Sequence, residues 1–216
     1  MSDIDRRLIR LFEFALWAAK LTLNGSLSTD DLIDIELHVY PDGDLAGNFW
    51  DTKSTAGMWV ELAGLQGRRW PLSWQSKAEP AIANHTQEAE TVSLSIAIRN
   101  EAAPLQRLLA TLLGRPITCR VFEDNEATTT AVKKGYSPSL RHLPRHQRCA
   151  LGTVHETFFM DDDLTGQGKE EYQKIVAEYG HMLLEHKDTK EHKGDFFTKE
   201  LPRVQFDAQL RMLGVH

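Results

Sequence analysis

The stretch IDIELHVY at residues 33–40 decides the fold class, because apolar and polar residues alternate strictly along it. Such alternation places every second side chain on one face of an extended chain and predicts a half-buried strand. The buried face would carry Ile33, Ile35, Leu37 and Val39. The sequence PDGD at 41–44 favours a turn and is predicted to end this strand.

Outward from this strand, two more strands are predicted at 55–62 and 68–74, which favours an antiparallel meander. The other predicted elements are helices at 86–102, 105–113, 126–134, 145–159 and 204–213, and strands at 117–122 and 181–185. Strands first and alternation afterwards predict an α/β (α+β) protein in which helices flank a five-stranded mixed sheet.

The chain is predicted to have two parts of unequal size. Residues 1–30 combine an amphipathic helix at 4–23 with a polar linker, and residues 31–216 form one domain. Inside that domain, the acidic and glycine-containing stretch at 160–174 is interpreted as an exposed loop, which gives an insertion near 160–180.

Composition excludes several classes of protein. The chain has 216 residues, a net charge of −6 and two cysteines, Cys119 and Cys149, which are too few for a disulfide framework. No apolar run reaches the ~20 residues of a membrane span, and the charged N-terminus does not resemble a signal peptide. We therefore expect a cytoplasmic or nuclear protein with no membrane partner.

One segment departs from the acidic average. Residues 133–155 contain five cations and no Asp or Glu. Subtracting these five positive charges from the net charge of −6 leaves −11 for the rest of the chain. The cations are Lys133, Lys134, Arg141, Arg145 and Arg148. A solvated loop would explain this composition, and so would one anion-facing side on an acidic body.

Three aspartates share one kind of position in the predicted fold. Asp42 follows the first strand, Asp124 ends the fourth and Asp195 comes shortly after the fifth, while Glu88 and Glu90 begin the long helix. Strand ends can converge at one edge of a sheet, and clustered carboxylates need a divalent cation to neutralise them. Two Mg²⁺ or Mn²⁺ ions about 3.5 to 4 Å apart suit phosphodiester hydrolysis.

Each of these carboxylates also has an ordinary structural interpretation. Asp42 could be a turn residue, and Asp124 and Asp195 could be helix N-caps. Glu88 and Glu90 could be favoured by the helix dipole. The functional interpretation therefore depends on their combination and on their order in the chain.

At these residues the sequence resembles the ribonuclease H region at the C-terminal end of the Pol polyprotein of copia-type LTR retrotransposons. The similar stretches are DRRLIRLF at 5–12, VYPDGDLAG at 39–47, DTKSTAG at 51–57, LSWQSK at 72–77, QEAE at 87–90, FEDNEA at 122–127 and GDFFTKEL at 194–201. The first resembles the helix that links reverse transcriptase to this region, so residues 1–30 would be a remnant of that connection.

The resemblance implies a ribonuclease H-like fold and an endonuclease that hydrolyses the RNA strand of RNA–DNA hybrids. The implied catalytic and metal-binding residues are Asp42, Glu90, Asp124 and Asp195, which would hold two Mg²⁺ or Mn²⁺ ions, with Glu88 as the alternative to Glu90. The basic residues of segment 133–148 would contact backbone phosphates. Separately, His192 lies near Asp195 in the sequence and could assist proton transfer or product release. The partners would be the hybrid and a reverse transcriptase domain in a longer polyprotein.

Two competing interpretations stay open at the level of sequence. His142, His146, Cys149 and His155 have spacings that could bind zinc. Alternatively, the chain could be a catalytically inactive transposon fragment that binds nucleic acid or a partner protein. The apolar face of the first helix bears on this second alternative, because it must fold back onto the domain or pair with another chain.

Overall fold

A central sheet organises the protein, whose computed structural model describes residues 3–46, 52–163 and 167–216. The strands are β1 (Glu36–Asp44), β2 (Thr55–Ala63), β3 (Arg69–Ala78), β4 (Cys119–Glu123) and β5 (Met182–His186). Their order is β3-β2-β1-β4-β5, with β1 to β3 antiparallel and β4 parallel to both β1 and β5. The predicted five-stranded mixed sheet flanked by helices is confirmed.

Helices cover the sheet and extend beyond it. They are α1 (Asp3–Ala18), α2 (Thr86–Ala97), α3 (Ala103–Leu113), α4 (Glu126–Lys134), α5 (Leu143–His146), α6 (Leu151–Asp163), α7 (Gln167–Tyr179) and α8 (Arg203–Met212). A π-helical turn at Ile98–Ala102 joins α2 to α3, and Pro104, which has no N–H to donate, is the second residue of α3. None of the helices in the described ranges is long and apolar enough to cross a membrane.

The strand β1 differs from its prediction in two ways. Both of its faces are buried from Leu37 to Gly43, because β1 lies in the middle of the sheet. It also continues through Pro41 to Asp44, and Ile33 lies outside it in a short 3₁₀ helix. Pro41 is tolerated because the β1–β4 pairing ends at Val39, so no ladder bond to β4 is lost there.

The close packing of α2 on β1 positions part of the site. A Cβ atom on Gly43 would lie 2.6 Å from the carbonyl carbon of Ala89 and 2.8 Å from the backbone nitrogen of Glu90. The absence of a side chain at Gly43 therefore lets the first turns of α2 touch the end of β1. This contact brings Glu90 to the carboxyl end of the sheet.

Two stretches of the second half differ from their predictions. The helix predicted at 145–159 is divided between α5 and α6, with Arg148 at a φ of 52° between them. The loop predicted at 160–174 contains the end of α6 and part of α7, while residues 164–166 lie outside the described part. Apolar residues of α7 at helical spacing, Tyr172, Ile175, Val176 and Tyr179, line a shared cavity with α3 and α6, which explains the helix.

The first helix folds back onto the domain through one end. Phe14 and Trp17 each place a ring centroid 6.1 Å from that of Phe206 on α8, and the Arg203 guanidinium lies over Trp17. None of the described residues of α1 is buried, and it ends at Ala18 instead of residue 23. The division of the chain at residue 30 stays a prediction.

Candidate metal centre

Three aspartates converge at the carboxyl ends of β1 and β4. Asp42 lies near the end of β1, Asp124 directly follows β4, and Asp195 lies in a 3₁₀ turn at Gly194–Phe197. One carboxylate oxygen from each of them and a ring nitrogen of His192 all lie within 4.8 Å of one another. This group therefore contains three of the four carboxylates in the set that the resemblance implies.

A second group of carboxylates shares Asp124 with the first. Oxygens of Glu90, Glu123 and Asp124 lie within 4.8 Å of one another. The backbone N–H of Gly43 donates to Glu90 Oε2 at 2.8 Å, which fixes this side chain against β1. Glu123 is buried, and its Oε2 has no hydrogen-bond partner among the described residues.

The alternative residue Glu88 lies in a different environment. Its Oε2 accepts hydrogen bonds from the backbone and side-chain amides of Asn84, each at 2.9 Å, and lies 2.9 Å from His142 Nε2. Gln147 Nε2 donates to its other oxygen at 3.4 Å. The carboxylate of Glu88 is thus occupied by its neighbours, whereas Glu90 belongs to the group around Asp124.

The electrostatics of the cluster favour a bound cation. Burial, followed by the charges of Glu123 and Asp42, raises the pKa of Glu90. Burial raises the pKa of Glu123 well above its usual range and, together with Asp42, raises the pKa of Asp195 to about 7. These carboxyl groups cannot all ionise in a buried site without compensation, so a divalent cation would be strongly favoured there.

A lysine supplies positive charge in the same place. Lys199 Nζ donates to Asp42 Oδ1 at 3.1 Å and to Asp195 Oδ1 at 2.6 Å, and the Thr198 hydroxyl donates to Asp42 Oδ2. Although burial opposes it, the carboxylates of Asp42 and Asp195 raise the pKa of Lys199. An ammonium group held by two carboxylates occupies a position suited to a metal ion, and the donor set fits Mg²⁺ or Mn²⁺.

Sequence reasoning missed the contributions of Glu123 and Lys199. Glu123 is the last residue of β4, and its neighbour Asp124 had the stronger signal because it precedes a helix. Lys199 belongs to the stretch GDFFTKEL that marked Asp195, and nothing in that stretch indicates a contact with Asp42. His192 was expected near Asp195, and its place beside Asp42 and Asp124 depends on the fold.

The cations of the basic segment are exposed, and its two lysines lie away from the carboxylate cluster. All five cations of segment 133–148 are exposed, with Lys133 and Lys134 in the last turn of α4. Since α4 begins two residues after Asp124 and rises about 1.5 Å per residue, these lysines lie about 12 Å along it. Their predicted contact with phosphates stays a prediction.

The zinc interpretation has no support from the described part of the chain. His142 is bonded to Glu88, and His155 Nδ1 lies 2.9 Å from the carbonyl oxygen of Val132. Cys149 is buried and contacts the carbonyl oxygen of Thr91. The metal-compatible groups formed by the described residues include none of the four proposed zinc ligands.

Comparison with known proteins gives structural likenesses alone. No protein-family profile matches the sequence, and no curated protein matches it. Ribonuclease H1 of Halobacterium salinarum NRC-1 is similar over 76% of this chain and 94% of its own, with a TM-score of 0.39 and 11% identity. LC11-RNase H1 in complex with an RNA/DNA hybrid has the same coverage and TM-score, with 17% identity.

A viral enzyme is also similar to this chain. The foamy viral protease–reverse transcriptase in complex with double-stranded DNA covers 87% of this chain and 95% of its own, with a TM-score of 0.33 and 12% identity. At TM-scores below 0.5 and identities below 25%, these likenesses establish neither a family nor an activity for this chain.

Proposed function

We propose that this protein is a metal-dependent endonuclease that hydrolyses the RNA strand of RNA–DNA hybrids. The observation that carries the proposal is the convergence of Asp42, Asp124 and Asp195 within 4.8 Å at the carboxyl ends of two parallel strands. Glu90 belongs to the neighbouring group of carboxylates, which also includes Asp124. The same four residues form the set that the motif resemblance implies, which supports a nuclease over other metal-dependent chemistry.

The carboxylates of the chain would hold the metal ions next to the scissile phosphate. Asp42, Asp124 and Asp195 would hold one divalent ion, and Asp124 with Glu90 and Glu123 a second. When bound, two such ions supply an activated water and neutralise charge on the leaving oxygen. Gly43 fixes Glu90 and Thr198 fixes Asp42, so the carboxylates are oriented before substrate arrives. Lys199 Nζ must move away from Asp42 and Asp195 when the metal enters.

Substrate contacts would come from outside the carboxylate cluster. The exposed cations Lys133, Lys134, Arg141, Arg145 and Arg148 would bind backbone phosphates of the hybrid. Preference for an RNA strand would come from contacts to its 2′-hydroxyl groups. We also propose that the chain derives from a copia-type retrotransposon and that a reverse transcriptase domain is its partner in a longer polyprotein, since its similar stretches run from 5–12 to 194–201.

The test is cleavage of a labelled RNA–DNA hybrid by the purified protein in Mg²⁺ and, separately, in Mn²⁺. We expect cleavage of the RNA strand that is abolished by EDTA and by Asp124→Asn. The matched control is Asp34→Asn, which changes an exposed aspartate before the opposite end of β1 and should cleave like the wild type. A folded protein that leaves the hybrid intact with either metal would contradict the proposal.

A second candidate function is supported by the lysine in the centre. Because the Lys199 ammonium group already binds Asp42 and Asp195, the chain could be an inactive transposon fragment that binds nucleic acid or a partner without cutting. Binding of the hybrid without cleavage, unchanged by EDTA, would favour this alternative.

A further inference from the structure

The side chain of His192 is buried and held in one orientation. Its Nε2 lies 2.9 Å from the carbonyl oxygen of Phe122, the residue before Glu123 in β4. Its ring packs edge-on against Tyr40, with the centroids 5.8 Å apart, and Gln209 Nε2 donates to its backbone oxygen at 3.1 Å. A carbonyl oxygen accepts and never donates, so Nε2 carries a proton, and in the neutral ring the lone pair is then on Nδ1.

The other ring nitrogen has no hydrogen-bond partner among the described residues. His192 Nδ1 is buried and makes no hydrogen bond to any residue that the structure describes. A ring nitrogen of His192 nevertheless lies within 4.8 Å of an oxygen from each of Asp42, Asp124 and Asp195. A buried nitrogen without a donor is costly, and here the ring lies beside three carboxylates, which accept hydrogen bonds from Thr189, Thr198 and Lys199 and, when ionised, have no proton to give it.

The backbone next to His192 permits this close approach. A Cβ atom on Gly194 would lie 2.8 Å from both His192 Cε1 and Asp42 Cβ. Without that atom, the imidazole ring and Asp42 can both pack against the backbone at Gly194. The turn that carries Asp195 therefore also allows His192 to lie close to Asp42.

We infer that His192 is a nitrogen ligand of the metal ion held by Asp42, Asp124 and Asp195, and that this position selects Mn²⁺ over Mg²⁺. The inference rests on the metal centre of the proposed function. Histidines that bind metal through one ring nitrogen usually donate the other N–H to a carboxylate, a backbone carbonyl or water, as His192 does to Phe122. Mg²⁺ prefers oxygen ligands, whereas an imidazole nitrogen suits transition metals.

The two positions of the centre would then differ in their preferred ion. The group of Glu90, Glu123 and Asp124 offers carboxylate oxygens and no nitrogen, so it suits Mg²⁺ and Mn²⁺ alike. The group with His192 has a mixed donor set. Asp124 belongs to both groups, so it could contribute to holding either ion.

The test is pulsed EPR of the tag-free protein loaded with Mn²⁺, combined with titrations of Mn²⁺ and Mg²⁺ that measure both dissociation constants. We expect coupling of bound Mn²⁺ to a ¹⁴N nucleus in the wild type. His192→Gln, whose amide can still donate to Phe122, should lose this coupling and bind Mn²⁺ at least about tenfold more weakly, with little change for Mg²⁺. His181→Gln, at an exposed histidine beside the opposite end of β5, is the matched control.

The outcomes separate this inference from the proposed nuclease. Mn²⁺ bound without nitrogen coupling, coupling that persists in His192→Gln, or no Mn²⁺ binding by the folded protein would each overturn the inference. The wild-type spectrum decides the first of these even where His192→Gln fails to fold. Nitrogen coupling in a protein that cuts no hybrid would support the ligand and contradict the nuclease. Hybrid cleavage without nitrogen coupling would support the nuclease and contradict His192 as a ligand.

Discussion

The ammonium group of Lys199 lies between two carboxylates that we propose as metal ligands. We expect Lys199→Met to destabilise the metal-free protein by about 3 kcal/mol, because Asp42 and Asp195 lose their counter-charge. The same substitution should strengthen Mn²⁺ binding, because it removes a competing cation. Urea unfolding in EDTA and a Mn²⁺ titration measure the two effects. The control is Lys77→Met, at an exposed lysine on β3; weaker Mn²⁺ binding by Lys199→Met would contradict this account.

A buried carboxyl group outside the centre makes stability depend on pH. Neither oxygen of Glu79 has a hydrogen-bond partner among the described residues, and burial, with the nearby charge of Glu88, raises its pKa to about 8. Between its usual pKa of 4.5 and about 8 the unfolded chain releases this proton and the folded chain keeps it. The contribution of Glu79 to folding stability therefore falls as the pH rises through that window.

We expect Glu79→Gln to stabilise the protein by about 1–3 kcal/mol at pH 9 and to have little effect at pH 4. Urea unfolding of the wild type and the variant at both pH values measures the difference. Glu13→Gln, at an exposed position of α1, should show no such dependence on pH. A variant that is equally or less stable than the wild type at pH 9 would show that Glu79 has a partner in solution.

At this scale the sequence indicated some residues of the centre and missed others. Asp42, Glu90, Asp124 and Asp195 could be proposed because each lies in a recognisable local stretch. Glu123, Lys199 and the contact of His192 with the aspartates could not, because they depend on contacts across long separations. Lys199 and Asp42, for example, are 157 residues apart in the chain.

At the scale of elements, the junction of β1 with α2 places Glu90. A side chain on Gly43 would overlap the backbone of Ala89 and Glu90, which cannot rotate away. We expect Gly43→Ala to lower the free energy of unfolding by about 1–3 kcal/mol and to weaken Mn²⁺ binding, because β1 and α2 must separate. Denaturant unfolding and the Mn²⁺ titration measure both.

Gly152→Ala is the matched control for this substitution. Gly152 lies in α6, and a Cβ atom there would meet nothing within 4 Å. Since alanine is the better helix former, this variant should be as stable as the wild type or slightly more stable. Equal stability of Gly43→Ala and the wild type would show that β1 and α2 can move apart without a loss in the free energy of unfolding.

Local signals explain which elements were predicted correctly. The helix predicted at 126–134 has these bounds in the structure, because the Asn125 side chain caps its start and Gly135, at a φ of 65°, ends it. The helix α7 was missed because its many charged residues suggested a loop, while its apolar face is narrow. The extension of β1 through Pro41 was missed because the ladder to β4 stops at Val39, which no local pattern reveals.

At the scale of the whole molecule, α1 is attached to the domain by few contacts. Phe14 and Trp17 meet Phe206, and the apolar residues Ile4 and Leu11 are exposed. We expect removal of residues 1–18 to reduce the free energy of unfolding by about 1–3 kcal/mol, the worth of two aromatic contacts, and to leave the sheet intact. Urea unfolding and circular dichroism measure this.

A chain that fails to fold without residues 1–18 would contradict this expectation and make α1 part of the core. The double substitution Phe14→Ala and Trp17→Ala is the finer comparison, because it removes the aromatic contacts but keeps the helix. We expect it to reproduce most of the loss of stability caused by the deletion.

The long separation between Asp42 and Lys199 has a consequence for the order in which the protein is made. Lys199 is added to the growing chain 157 residues after Asp42. Asp195 is added only four residues before Lys199. During synthesis the strand that carries Asp42 can join β2 and β3 in a sheet, by pairing with β2, well before Asp195 exists. A nascent chain interrupted ahead of Asp195 would therefore hold most of the sheet and still lack part of the carboxylate cluster, so the proposed metal centre can form only after Asp195 has been synthesised.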